Sequence, residues 1–161
     1  MSHLVDIYVQ PGKAFAELKE KPTFWLPLLL IAVASALMVL AYYMQVDPEW
    51  AVDEAVRAAS ADRSAAEVEQ MRSVMPGART MGYFGAASAL IGSLVVTAIF
   101  ALYFMLAGKV AGAALSFRHG MSLVSWSSMP MLLGTIVAIV GALTMGPRTS
   151  FESLQLLNVD P

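Results

Sequence analysis

The chain has 161 residues, 58% of them hydrophobic and only 14% charged, with a mean hydropathy of +0.65. Such figures belong to polytopic membrane proteins and exclude an ordinary soluble domain. A net charge of −2 gives no ground for a nucleic-acid partner, and the lack of cysteine excludes disulfides and thiolate metal sites.

Residues 1–23 read as an amphipathic lead-in. Ser2 suits the cap of a short turn carrying Leu4, Val5, Ile7 and Tyr8. Pro11 suits the first position of a second short helix, where its missing N–H costs nothing. In that helix Ala14, Phe15 and Leu18 share a face, away from Lys13, Glu17, Glu20 and Lys21. Two placements stay open: along the membrane surface with the apolar side in the headgroup boundary, or packed on the protein itself.

Residues 24–44 form the first span. Phe24 to Tyr43 is 20 residues without a charge, enough at about 1.5 Å per residue for a hydrocarbon core of about 30 Å. Trp25 at one end and Tyr42 and Tyr43 at the other suit the membrane–water boundary. The mixed-charge lead-in and the length of the run favour a retained anchor over a cleaved signal peptide.

Residues 45–80 form the one large polar region, with seven acids and four arginines. Asp47-Pro48 starts a helix bearing Val52, Val56 and Ala59 on one side, with Asp53 and Arg57 at i,i+4. Ser64 and Glu67 have the spacing of a capping box for a second helix, which Pro76-Gly77 stops. A helical hairpin outside the membrane is expected, its charges a solvated face or a docking surface.

Residues 81–107 form the second span, uncharged from Tyr83 to Ala107. Gly85/Ala89, Ser88/Gly92 and Ala89/Ser93 are small-xxx-small pairs, which allow close backbone approach in lipid. This helix is expected to be the most tightly packed of the three. Gly85, Ala89, Gly92 and Ser93 are its candidate contact residues, within the chain or against another subunit.

Residues 108–120 connect it to the third span, 121–145, and carry Lys109, Arg118 and His119. His119 has no ligand set near it in sequence. Pro130 removes a helical hydrogen bond and frees a carbonyl, which costs energy in lipid unless a partner is supplied. Ser125, Ser127 and Ser128 crowd that turn and can supply one. Ser125, Trp126, Ser128 and Pro130 are therefore the candidate kink, either patched by its own serines or lining a small cavity or contact site.

Interfacial basic residues set the topology. Lys13, Lys19, Lys21, Lys109 and Arg118 share one side; Arg57, Arg63, Arg72, Arg79 and Arg148 share the other. The counts are equal, but Lys13, Lys19 and Lys21 all lie within about 12 residues of the first span whereas most arginines of the loop lie further from a span end, which places the N-terminus in the cytoplasm. No acid occurs between Glu69 and Glu152, so the second and third spans have no carboxylate for a proton relay or an intramembrane aspartyl protease. HExxH, GxSxG and GxxxxGK[ST] are absent, and no catalytic residue, metal or cofactor is expected.

In three places the chain resembles Yip1-domain membrane proteins of the compact bacterial type. These are Pro11-Gly12-Lys13-Ala14-Phe15-Ala16-Glu17-Leu18 with Pro22 and Trp25-Leu26-Pro27, the 36-residue polar loop before a small-residue span, and Gly108-Lys109 followed by Ser116-Phe117-Arg118-His119-Gly120 and Ser125–Pro130. The resemblance implies an all-α polytopic bundle with a cytoplasmic N-terminus, usually of five spans. Three are visible here, and residues 146–161 resemble a connection towards a fourth. It also implies, for some members, a role as accessory subunits of ABC exporters. The expectation is a non-enzymatic inner-membrane interaction protein, an accessory or scaffolding subunit of a transport-type complex. Its partners would be membrane lipids and another membrane protein or a second copy. The alternative is a component for permeation or handling of small solutes or lipids, lined by the kinked third span.

Overall fold

The computed structural model describes residues 2–60, 63–113 and 115–154, residues 2 and 3 by backbone only. Among them there are eight α-helices and no strand. They are α1 (Ser2–Val9), α2 (Pro11–Glu20), α3 (Trp25–Gln45), α4 (Pro48–Ala59), α5 (Ala65–Val74), α6 (Ala78–Val110), α7 (Phe117–Ser127) and α8 (Met129–Thr144), with a 3-10 turn at Glu152–Leu154. The chain is an all-α membrane protein: α3 and α6 are each long and apolar enough to cross a bilayer. The third candidate span is the pair α7 and α8, bent by 43° at a break. The reading of Ser2 as a cap and the end of the 146–161 connection lie outside the described residues.

Contacts divide the chain into two compact units, residues 1–35 with 89–135 and residues 36–88 with 136–161. In the first, the apolar face of α2 does not lie free. Ala14 and Leu18, with Ile7 of α1, are buried against Trp126 and Met129, and Phe15 packs partly beside them. Burying that stripe on protein removes apolar surface from water at about 25 cal/mol per Å². A second cluster in the same unit joins Leu28 of α3, Ala101 of α6 and Met121 of α7.

In the second unit Tyr42, Val46, Ala51, Ala78 and Ala142 form the core, with Trp50, Met145, Phe151 and Leu154 packed on it. The Tyr42 hydroxyl donates to the Thr149 carbonyl at 3.1 Å, and its ring meets Phe151 edge-on at 5.1 Å. Tyr42 is thus buried in this core, its ring covered by protein. Asp47 caps α4 by accepting from the amides of Glu49 and Trp50 at 3.0 and 2.9 Å, while its own amide donates to Pro147 at 2.7 Å. The Glu67 carboxylate accepts from the Ser64 amide at 2.9 Å and its hydroxyl at 2.6 Å, which starts α5.

Two expectations fail here. Asp53 does not pair along its own helix with Arg57. It pairs with Arg72 of α5 at 2.6 Å and so ties the hairpin together, while Arg57 turns to Glu54 at 2.5 Å. The short reach to a neighbouring helix wins because α4 and α5 pack side by side. Nor is α6 the most tightly packed long helix: 11% of its most apolar window is buried, against 39% in α3. Its small residues leave open room at Gly92, where no atom lies within 4 Å of the position a Cβ would take, instead of a closed contact.

Candidate functional site

The densest set of side-chain hydrogen bonds in the first unit surrounds the break between α7 and α8. Pro130 sits in the first turn of α8, where it lacks no helical partner, so the chain restarts instead of bending through a continuous helix. The Ser128 hydroxyl donates to the Val124 carbonyl at 2.9 Å and closes the end of α7. From α1, the Tyr8 hydroxyl donates to the Met129 carbonyl at 2.6 Å. Of the three serines expected to patch the break, Ser128 does so. Ser125 does not: its Oγ is buried and without a hydrogen-bond partner among the described residues.

The approach to the break is pinned to the short connection between α2 and α3. The Thr23 carbonyl accepts twice, from the Trp126 indole N–H at 2.7 Å and from the Ser122 hydroxyl at 2.9 Å. Both lone pairs of that oxygen are thereby used. Arg118 Nε donates to the Pro22 carbonyl at 3.1 Å. His119 is a structural bridge, and among the described residues no group of metal-ligating side chains surrounds it. Its Nδ1 faces the Ser116 amide at 3.3 Å and hydroxyl at 2.6 Å, and its Nε2 faces the Lys19 carbonyl at 3.2 Å. A carbonyl only accepts, so these partners assign the proton to Nε2 and leave Nδ1 to accept. Ser116 and His119 thus form a capping box in which imidazole replaces the usual carboxylate.

Where α7 crosses α6, Gly120 lies against the backbone of Ala101: a Cβ on Gly120 would fall 2.8 Å from the Ala101 Cα. Beside this crossing opens a groove of about 590 Å³, lined among the described residues by α3, α6, α7 and α8 with no charged side chain. Ser35, Ser93, Thr97, Ser125, Ser127 and Ser128 lie among apolar walls such as Ile31, Val96 and Leu132. That size and mix of apolar wall with a few hydroxyls are those of a ligand-scale site.

Of the residues read from sequence, Ser125 and Ser128 line this groove, Pro130 follows the break, and Trp126 is buried beside it in contact with α2. Gly92 and Ser93 line the same groove from α6, and the Ser93 hydroxyl donates to the Ala89 carbonyl at 2.5 Å. Gly85 lies elsewhere, in the second unit, where a Cβ would fall 2.9 Å from Val39. Lys19 borders a smaller groove with His119, Arg118 holds Pro22, and Lys13, Lys21 and Lys109 are exposed. Thr23 and Ser122 escaped the sequence reading, while Tyr8 entered it only on the amphipathic lead-in and Gly120 only as the end of the Ser116–Gly120 run.

The Yip1 domain matches residues 5–157 of the chain. The chain is similar to the membrane protein YknW of Bacillus subtilis (strain 168), 26% identical over 158 residues that make up 98% of this chain and 64% of YknW. It therefore spans a little under two thirds of that relative's length. No solved structure matches it. With apolar spans in the structure and a domain match over nearly its whole length, the chain belongs to the Yip1 domain family of membrane proteins.

Proposed function

We propose that this protein is a non-enzymatic interaction subunit, an accessory or scaffold in a membrane complex of the transport type, with an ABC exporter as one such partner. The observation that carries this reading is α6. It runs for 33 residues and buries little of its apolar length in its own chain. Of the two glycines among its small residues Gly85, Ala89, Gly92 and Ser93, only Gly85 meets a side chain of another helix of this chain closely, Val39. A helix of that kind offers another transmembrane helix close van der Waals approach. The protein would sit in the cell membrane as a multi-pass protein with its N-terminus in the cytoplasm, which Lys13, Lys19, Lys21, Lys109 and Arg118 support.

Purification of the tagged protein in mild detergent, followed by native mass spectrometry, tests this. A stoichiometric foreign membrane protein is expected, and Ala89→Leu should release it; a defined homo-oligomer with nothing else bound would overturn the accessory-subunit reading. A monomer with no partner from native membranes would overturn the reading. The uncharged groove favours a second reading, handling of a small solute or lipid along α7 and α8. Replacing Ser128 and Pro130 together separates the two: a pathway would lose flux while staying assembled, whereas an interaction subunit would lose assembly or abundance.

A further inference from the structure

The large groove does not end blindly. A smaller one of about 170 Å³ adjoins it, and the two share Phe104 and Leu123. Together they follow α7 from His119 to the first turns of α8. The chemistry along this trough is graded. Its small end carries Lys19 and His119, with Arg118 one residue away at the N-terminus of α7, whose amides add partial positive charge. Among the described residues no carboxylate lines either groove, and of the charged side chains of α2 only Lys19 is in the wall.

Between the charged end and the apolar end lies Ser125. It is 2% exposed, lines the large groove, and its hydroxyl has no hydrogen-bond partner among the described residues. A buried hydroxyl in that state costs free energy unless a ligand meets it. Six residues along a helix place it about 9 Å beyond His119. Beyond Ser125 the walls are mainly apolar, Ile31, Val96 and Leu132 among them, with the hydroxyls of Ser93 and Ser128 turned back onto their own helices.

Positive charge, then one hydrogen-bond donor a glycerol length further in, then an uncharged channel is the order of groups that complements a phospholipid. We propose that this trough binds one anionic phospholipid. Its phosphate lies by Lys19 and Arg118, an ester carbonyl accepts from Ser125 Oγ, and an acyl chain runs along Val96 and Leu132. This inference rests on the second reading above, whose ligand and site it names; one lipid retained without any flux would keep the site and dismiss the pathway.

The test uses the full chain, delipidated and reconstituted in bilayers of equal parts phosphatidylglycerol and phosphatidylethanolamine, then re-extracted for native mass spectrometry. Wild type is expected to retain one lipid, with phosphatidylglycerol favoured about fivefold for each basic group engaged. Lys19→Glu, an exposed change, should abolish the preference, and Val96→Trp should remove the retained lipid by filling the channel. Lys13→Glu, off the trough, should change neither. Equal retention of the two lipids by wild type, an undiminished preference in Lys19→Glu, or a protein segment found in place of lipid would each overturn the proposal. Because Lys19→Glu touches no buried contact, a failure of Val96→Trp to fold leaves the test intact.

Discussion

Gly120 rests on the backbone of Ala101, so α7 crosses α6 with no side chain between them. Ala101 is itself fully buried, and its neighbours offer no flexible side chain to move aside. Gly120→Ala should therefore push the two helices apart and destabilise the fold by about 1–3 kcal/mol, the usual cost of overpacking. A thermal-unfolding series in detergent checks this, with Gly92→Ala, which meets open space, as the control expected to change little.

The doubly used Thr23 carbonyl makes Trp126 and Ser122 interdependent. Either hydrogen bond alone satisfies that oxygen. Trp126→Phe or Ser122→Ala should each cost about 0.5–1.5 kcal/mol, whereas the double variant leaves a carbonyl without either partner and should exceed their sum. A double-mutant cycle on unfolding free energies measures the excess.

In the hairpin, Asp53 couples to Arg72 across the two helices and not to Arg57. Both partners are partly exposed, so the coupling should be modest, about 0.2–1 kcal/mol, and should weaken with salt. Cycles on Asp53→Asn with Arg72→Gln and with Arg57→Gln would show coupling in the first only.

The hydrogen bonds from the Ser64 hydroxyl and then its amide, with Arg63 nearby, hold the Glu67 carboxyl below the usual glutamate range. A carboxylate with a lowered pKa stabilises the fold in its ionised form. That contribution is complete above the ordinary value of about 4.3 and is lost as pH falls through the lower folded value. Protection factors of the α5 amides, with exchange rates corrected for their intrinsic pH dependence, should therefore fall on acidification through that window. Glu67→Gln should remove the pH dependence, leaving α5 equally protected on both sides of it.

Several local features were legible from neighbouring residues alone. Asp47-Pro48 starts α4, Ser64 and Glu67 start α5, and Pro76-Gly77 lies between α5 and α6, as their capping and stop chemistry requires. The same holds for the apolar stripe of Ala14, Phe15 and Leu18, though the choice between lipid and protein as its cover was open. Small residues in α6 misled in degree, because a glycine permits close approach without enforcing it: Gly85 meets Val39, while Gly92 borders a groove. Asp53 misled in partner, since i,i+4 spacing predicts a contact only when no neighbouring helix brings a better one.

By itself the sequence determined the class of the protein: uncharged runs long enough for a bilayer, a polar hairpin between them, and no acid in the second or third span. Those properties follow from transfer of side chains out of water and from backbone hydrogen bonds closed within a few residues, both local quantities. The tertiary structure alone decided which distant groups meet. Tyr8 reaches Met129, Thr23 receives Trp126 and Ser122, His119 bridges to Lys19, and Ser125 is left facing an uncharged groove. These pairs lie about a hundred residues apart, and no period or spacing along the chain encodes them. They arise because packing the helices brings lone pairs and donors together that must then be satisfied, or stay open for a ligand.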